Sequence, residues 1–272
     1  MRALALAISL LVAGLARAEP APLRADVPVD ASVTGAAAAL WLSSELLFKH
    51  QLAPAHCRWC VPNGFDSAVR DGLVWQNPHT ADVLSNVDAF ALMPLLAFGG
   101  TALAAHHDGA NGNIGVDLLV IGEAAMLAQD VNQAVKFAAG RERPFVHQLP
   151  ASQKGLTAAP DDNNLSFFSG HTTWAFSLAT AAGMVCSLHH YKLAPWVWAL
   201  GMTFATSTAY LRIAADKHYA TDVLTGALVG ALFGVGIPLL HRPQAASPRS
   251  QGLGLAFGPA GGGLSVGMSG VF

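Results

Sequence analysis

Residues Thr221–Leu240 read TDVLTGALVGALFGVGIPLL, twenty positions in which Asp222 is the only charge. A helix of about 20 apolar residues matches the thickness of a bilayer core. Gly226, Ala227, Gly230 and Ala231 put small residues along it, and small residues let a neighbouring helix approach closely. Working outward, five further apolar stretches of similar length are separated by polar turns: Val33–Phe48, Val87–Ala105, Ile114–Phe137, Thr172–Leu188 and Pro195–Leu211. This pattern predicts an all-α protein, a six-helix bundle. The third stretch is interrupted by Asp117, Glu123, Asp130 and Asn132, so that helix is expected to face protein or water rather than lipid.

Composition agrees with that reading. The 272 residues carry 15 Lys+Arg against 17 Asp+Glu, with 12% charged and 53% hydrophobic residues; mean hydropathy is +0.41. A chain this apolar and nearly neutral is neither disordered nor a polyelectrolyte that binds nucleic acid.

The ends differ from the middle. Arg2, the apolar run Ala3–Leu15 and Ala16-Arg17-Ala18 predict a signal peptide over residues 1–18. A Pro-rich linker is expected over 19–32 and the helical domain over 33–242, its motif-bearing core at 87–240. Residues 243–272 turn to Gly, Ser and Pro, with period-two apolar positions at Leu253, Leu255, Phe257 and Leu264, Val266, Met268, which predict a short β-hairpin or a glycine-rich tail. Export makes a Cys57–Cys60 disulfide the expected state of the CRWC segment, since oxidising surroundings let it persist.

Three clusters carry the chemistry. Lys136 and Arg143-Pro144 are spaced to place two cations on one face at the end of the third helix, suited to an oxyanion. Ser169-Gly170-His171 opens the fourth helix, where free backbone N–H groups and a glycine admit a phosphate and a histidine can protonate a leaving oxygen. Arg212, His218 and Asp222 follow; an i,i+4 pair lets the carboxylate orient the imidazole, leaving its other nitrogen free to attack. Arg141 and Glu142 read as a solvated helix end.

In order and spacing these clusters resemble the tripartite signature of the type-2 phosphatidic acid phosphatase and vanadium haloperoxidase superfamily, over about Val87 to Leu240. The family pattern has Pro before Ser-Gly-His and Ser before the late Arg, where this chain has Phe168 and Leu211. The resemblance implies that Lys136, Arg143, Ser169, Gly170 and Arg212 bind phosphate, and that His218 forms a phosphohistidine oriented by Asp222. It also implies that His171 serves as acid and then base, with no metal or other cofactor. The implied activity is hydrolysis of lipid-linked or small phosphate esters or pyrophosphates at the cell envelope, in contact with membrane lipid and on the extracytoplasmic side. The alternatives are a haloperoxidase, which would hold vanadate in the same oxyanion site, and an envelope membrane protein that keeps the fold without turnover. The sequence specifies no oligomeric state.

Overall fold

The computed structural model describes residues 23–242, 254–260 and 263–269. The signal-peptide expectation, residues 1–18, lies outside them. The chain divides into two units, 1–242 and 243–272. In the second, Gly254–Ala260 (β1) and Gly263–Ser269 (β2) pair antiparallel with Ala260 opposite Gly263.

The first unit is helical. Its main elements are α1 (Val27–Leu46), α2 (Gly64–Leu73), α3 (Pro78–His107), α4 (Ile114–Ala139), α5 (Gly170–Leu188), α6 (Ala194–Ala214) and α7 (Ala220–Leu240). The linker expected to reach residue 32 stops earlier: the Asp26 side chain accepts from the Val29 amide and Pro28 sits in the first turn, so α1 starts at Val27. The stretch expected to begin at Val87 is likewise longer, because the Asn77 side chain caps a helix at Pro78. Two π-helical segments, Asp88–Leu92 and Leu95–Gly99, flank Pro94 within α3. A proline lacks the N–H and crowds the carbonyl four residues back, and wider π turns relieve that conflict.

α5 is the centre of the bundle, with fifteen of its nineteen residues buried, as expected of a helix apolar on all sides. It packs against α4, α6 and α7. Close approach explains the glycines of α7: a Cβ on Gly230 would lie 2.4 Å from the Thr173 carbonyl oxygen, and one on Gly234 would lie 2.5 Å from that of Ser177. The opposite side of α7 presents Leu224, Leu228 and Leu232 outward, each at least 60% exposed. α3 and α7 are long and apolar enough to cross a membrane. The polar residues of α4 turn inward: Asp117 is buried and accepts from His189 and the Tyr191 hydroxyl, and the Asn132 amide donates to the Phe168 carbonyl.

Candidate active site

α4 ends where Gly140 adopts a left-handed conformation (φ 55°), a C-terminal stop that glycine accepts without strain. Lys136 therefore sits in the last turn of α4. Arg143 lies beyond the helix in extended backbone, and Pro144 opens a separate single turn, Pro144–His147. The two cations do not share a helix face, as the spacing had suggested, but both line one cavity of about 310 Å³. His171, Arg212, Lys217 and His218 also line it, together with Glu45, Asp82, Asn86 and Asp162.

His218 precedes α7, whose N-cap is Tyr219. Its Nδ1 lies 2.8 Å from the Ser166 carbonyl oxygen, and since a carbonyl only accepts, Nδ1 carries the proton. The lone pair is then on Nε2, 3.4 Å from Arg143 Nη1 at the cavity wall. Burial, then the Arg143 and Arg212 guanidiniums, hold His218 well below the ordinary histidine range, so the ring is neutral and nucleophilic at neutral pH.

The expected direct pairing with Asp222 is replaced by this arrangement. Asp222 Oδ2 stands 3.6 Å from Nδ1, and instead accepts from the Ser166 hydroxyl at 2.6 Å and the Tyr219 amide at 2.9 Å. The reason is where the helix begins: with Tyr219 as N-cap, Asp222 occupies the third helical position and turns back on the cap, a capping-box role. Ser166, unmarked in the sequence reading, joins both residues through its carbonyl and its hydroxyl.

The Arg141 side chain overturns the solvated-end reading. It is 1% exposed, and its guanidinium bonds Asp222 and Thr221 through Nη1 and Asp66 through Nη2. It lies between the Trp59 and Tyr219 rings, 3.9 and 4.3 Å from their centroids. Asp66 in turn accepts from the Thr221 amide and hydroxyl. The disulfide Cys57–Cys60 closes the loop carrying Trp59, whose carbonyl accepts from the Glu142 amide beside Arg141. Glu142, 3% exposed, is buried under Lys154 and His147.

The remaining motif residues have these partners. Ser169 is fully buried and its hydroxyl caps α5, accepting from the Thr172 amide and hydroxyl. Gly170 makes room for the cation above it: a Cβ there would lie 3.1 Å from Lys136 Nζ. His171 Nε2 is 2.7 Å from Asn86 Oδ1, and its ring meets the edge of Phe90 at 4.8 Å. Arg212 bonds Asp82 at 2.6 Å and the Ser85 hydroxyl at 3.0 Å, while its Nε is buried without a partner. Burial pushes Asp162 up, but Arg143 and Lys49 outweigh it and hold the carboxyl at about 2. Asn86 and Asp82 come from α3, and no local spacing ties them to the motifs.

Lys136, Arg143 and Arg212 lining one cavity with a buried neutral imidazole make a site suited to a tetrahedral oxyanion. Residues 117–245 match the family model of the PAP2 superfamily. The match covers just under half of the chain. Every motif residue named above, from Lys136 to Asp222, falls within the matched residues 117–245, whereas Asp66, Asp82, Asn86 and the Cys57–Cys60 loop lie outside them. The chain is also 42% identical over 69 residues to a lipid A 1-phosphatase of Porphyromonas gingivalis, a match covering 25% of this chain and 15% of that protein. It thus spans under one sixth of the relative's length. A crystal structure of a transmembrane PAP2 type phosphatidylglycerolphosphate phosphatase from Bacillus subtilis aligns with 78% of this chain and 94% of that one, at 18% identity and a TM-score of 0.45.

Proposed function

We propose that the protein is a phosphatase that hydrolyses lipid-linked phosphate monoesters or pyrophosphates through a phosphohistidine on His218, without a metal in the reaction. The observation that carries this reading is the His218 ring, protonated at Nδ1 by its bond to the Ser166 carbonyl, with unprotonated Nε2, 3.4 Å from Arg143 Nη1, at a cavity lined by Lys136, Arg143 and Arg212. The match to a lipid A 1-phosphatase supports a phosphorylated lipid.

The Nε2 lone pair attacks phosphorus as the bond to the leaving oxygen breaks, and that oxygen takes a proton from His171. Asn86 Oδ1 accepts from His171 Nε2–H, so Nδ1 is the transferring nitrogen. Burial and then the Arg212 cation hold the free ring neutral, and Nδ1 takes up the proton it gives to the leaving oxygen when the charge of the bound phosphate offsets those cations. Lys136, Arg143 and Arg212 neutralise the charge spread over the equatorial oxygens. Asp222, 3.6 Å from Nδ1, stabilises the positive charge on the phosphorylated ring. Water then attacks phosphorus, gives its proton to His171, and the P–N bond breaks.

The cavity lies beside apolar surface. Glu45 lies in the last turn of α1 next to exposed Leu46, Leu47 and Phe48, and Asp82 and Asn86 alternate along α3 with exposed Val83, Leu84 and Val87. Acyl chains would rest on such surfaces while the headgroup enters the cavity. The membrane-facing helices and the oxidised Cys57–Cys60 pair favour an envelope location with an extracytoplasmic site.

The test is phosphate release from the full chain in detergent, with phosphatidic acid, an isoprenoid pyrophosphate and p-nitrophenyl phosphate compared in the presence of chelator. Hydrolysis abolished in His218→Ala, with a lipid substrate preferred, is the expected result. Absence of turnover by folded wild-type protein on all three substrates would sink the reading.

A further inference from the structure

Far from the cavity, the first turn of α1, the middle of α4 and the residue capping α7 bring Asp30, Glu123 and His241 together, with one ligand-type atom of each within 4.8 Å of the others. Glu123 is 7% exposed, and its Oε2 is buried with no hydrogen-bond partner; Asp30 Oδ2 is in the same condition. His241 Nδ1 lies 2.9 Å from the Ile237 carbonyl oxygen and so donates to it. In the neutral ring Nε2 is then a bare lone pair, the orientation that a backbone carbonyl imposes on metal-binding histidines. That lone pair faces Asp30 Oδ2 at 3.4 Å and Glu123 Oε2 at 3.5 Å.

Both separations exceed the ~2.7–3.2 Å of a good N–H···O hydrogen bond. They lie close to the edge of a tetrahedron around an ion with bonds of about 2.0–2.1 Å, which is about 3.4 Å. Two buried carboxylates carry more negative charge than one imidazolium can cancel, and a mixed imidazole–carboxylate set suits a borderline divalent ion. We propose that Asp30, Glu123 and His241 bind one divalent cation of the zinc class, which clamps the start of α1 and the end of α7 to the middle of α4. Glu123 is thirteen residues before Lys136, about 20 Å along α4. The ion therefore holds helices together and takes no part in hydrolysis, and its test does not depend on activity.

The full chain in detergent, stripped with chelator and reloaded with Zn²⁺ or Co²⁺, is expected to take up one ion per molecule. A rise in its thermal midpoint and the visible absorption of tetrahedral cobalt should accompany uptake. Glu123→Gln and His241→Ala should each weaken binding at least tenfold, and Asp30→Asn, which alters the partly exposed ligand, provides a milder variant should those fail to fold. Three results would overturn the site. One is no stoichiometric ion in the wild-type protein. Another is an ion retained unchanged in every variant, which would place it on surface histidines. The third is a midpoint that follows pH but not Zn²⁺, which would make the cluster a histidine–carboxylate ion pair.

Discussion

The Arg141 guanidinium lies 3.9 Å from the centroid of the Trp59 indole, and through this contact a loop outside the stretch matched to PAP2 reaches the surroundings of His218. Arg141 joins Asp66 of α2 to Asp222 of α7, and Asp222 shares Ser166 with His218. The order of contacts runs from the disulfide loop to the aromatic ring, the buried cation, the carboxylate and the His218 imidazole.

Removing Arg141 leaves two buried carboxylates facing one another, a change that costs about 3–5 kcal/mol. Arg141→Ala is expected to lower the thermal midpoint of the detergent-solubilised protein strongly. Arg141→Lys should recover only part of the loss, because an ammonium cannot span both carboxylates in a fixed fork.

Breaking the Cys57–Cys60 link should cost less. Closing so short a loop stabilises by about 2 kcal/mol at most in the chain-entropy account. Cys57→Ser, or reduction of the wild-type protein, is expected to lower the unfolding midpoint by a correspondingly small step. The same treatment should also change Trp59 fluorescence as the ring loosens from Arg141.

The glycines of α7 give a contrast within one helix. Gly230→Ala forces a methyl group against the Thr173 backbone and should destabilise by about 1–3 kcal/mol. Gly236 has open space where a Cβ would go, so Gly236→Ala should be neutral or stabilising by up to about 1 kcal/mol. Unfolding curves for the two variants test the close α5–α7 packing directly; equal effects would refute it.

The pH dependence follows from His218. Its folded-state pKa is depressed, so below the unfolded value of about 6.5 the unfolded chain takes up a proton that the folded chain does not. Stability should fall as pH drops below that value, while the His218 ring stays neutral, so that hydrolysis through it, as proposed, would continue on the acid side of about 6.5. A kcat/KM profile beside a series of unfolding midpoints checks both, and the acid-side loss of stability should shrink in His218→Gln.

The sequence made the charged wall of the cavity legible, since Lys136, Arg143, His171, Arg212 and His218 all line it. What it could not disclose depended on where helices stop. The spacing of His218 and Asp222 reads as one helical face, but Tyr219 caps α7, which places the histidine before the helix and gives Nδ1 to a carbonyl. Arg141 reads as a helix-end charge until Gly140 ends α4 and turns the chain inward. Asp66, Asp82 and Asn86 reach the site from α2 and α3, and such long-range placements leave no local periodicity to read.

Proline 94 and its flanking π segments divide α3 into two lengths with separate rotational settings. Asp82 and Asn86 on one side face the cavity, while Met93, Ala97, Ala104 and Ala105 on and beyond the π stretch face the core. Each residue in an α-helix turns the chain by about 100°. Loss of one residue between Asp88 and Leu92 would thus swing the site-facing length away from His171 while the core-facing length kept its packing. The helix behaves as a shaft with a fixed coupling, and the phase of that coupling is what delivers Asn86 to the histidine.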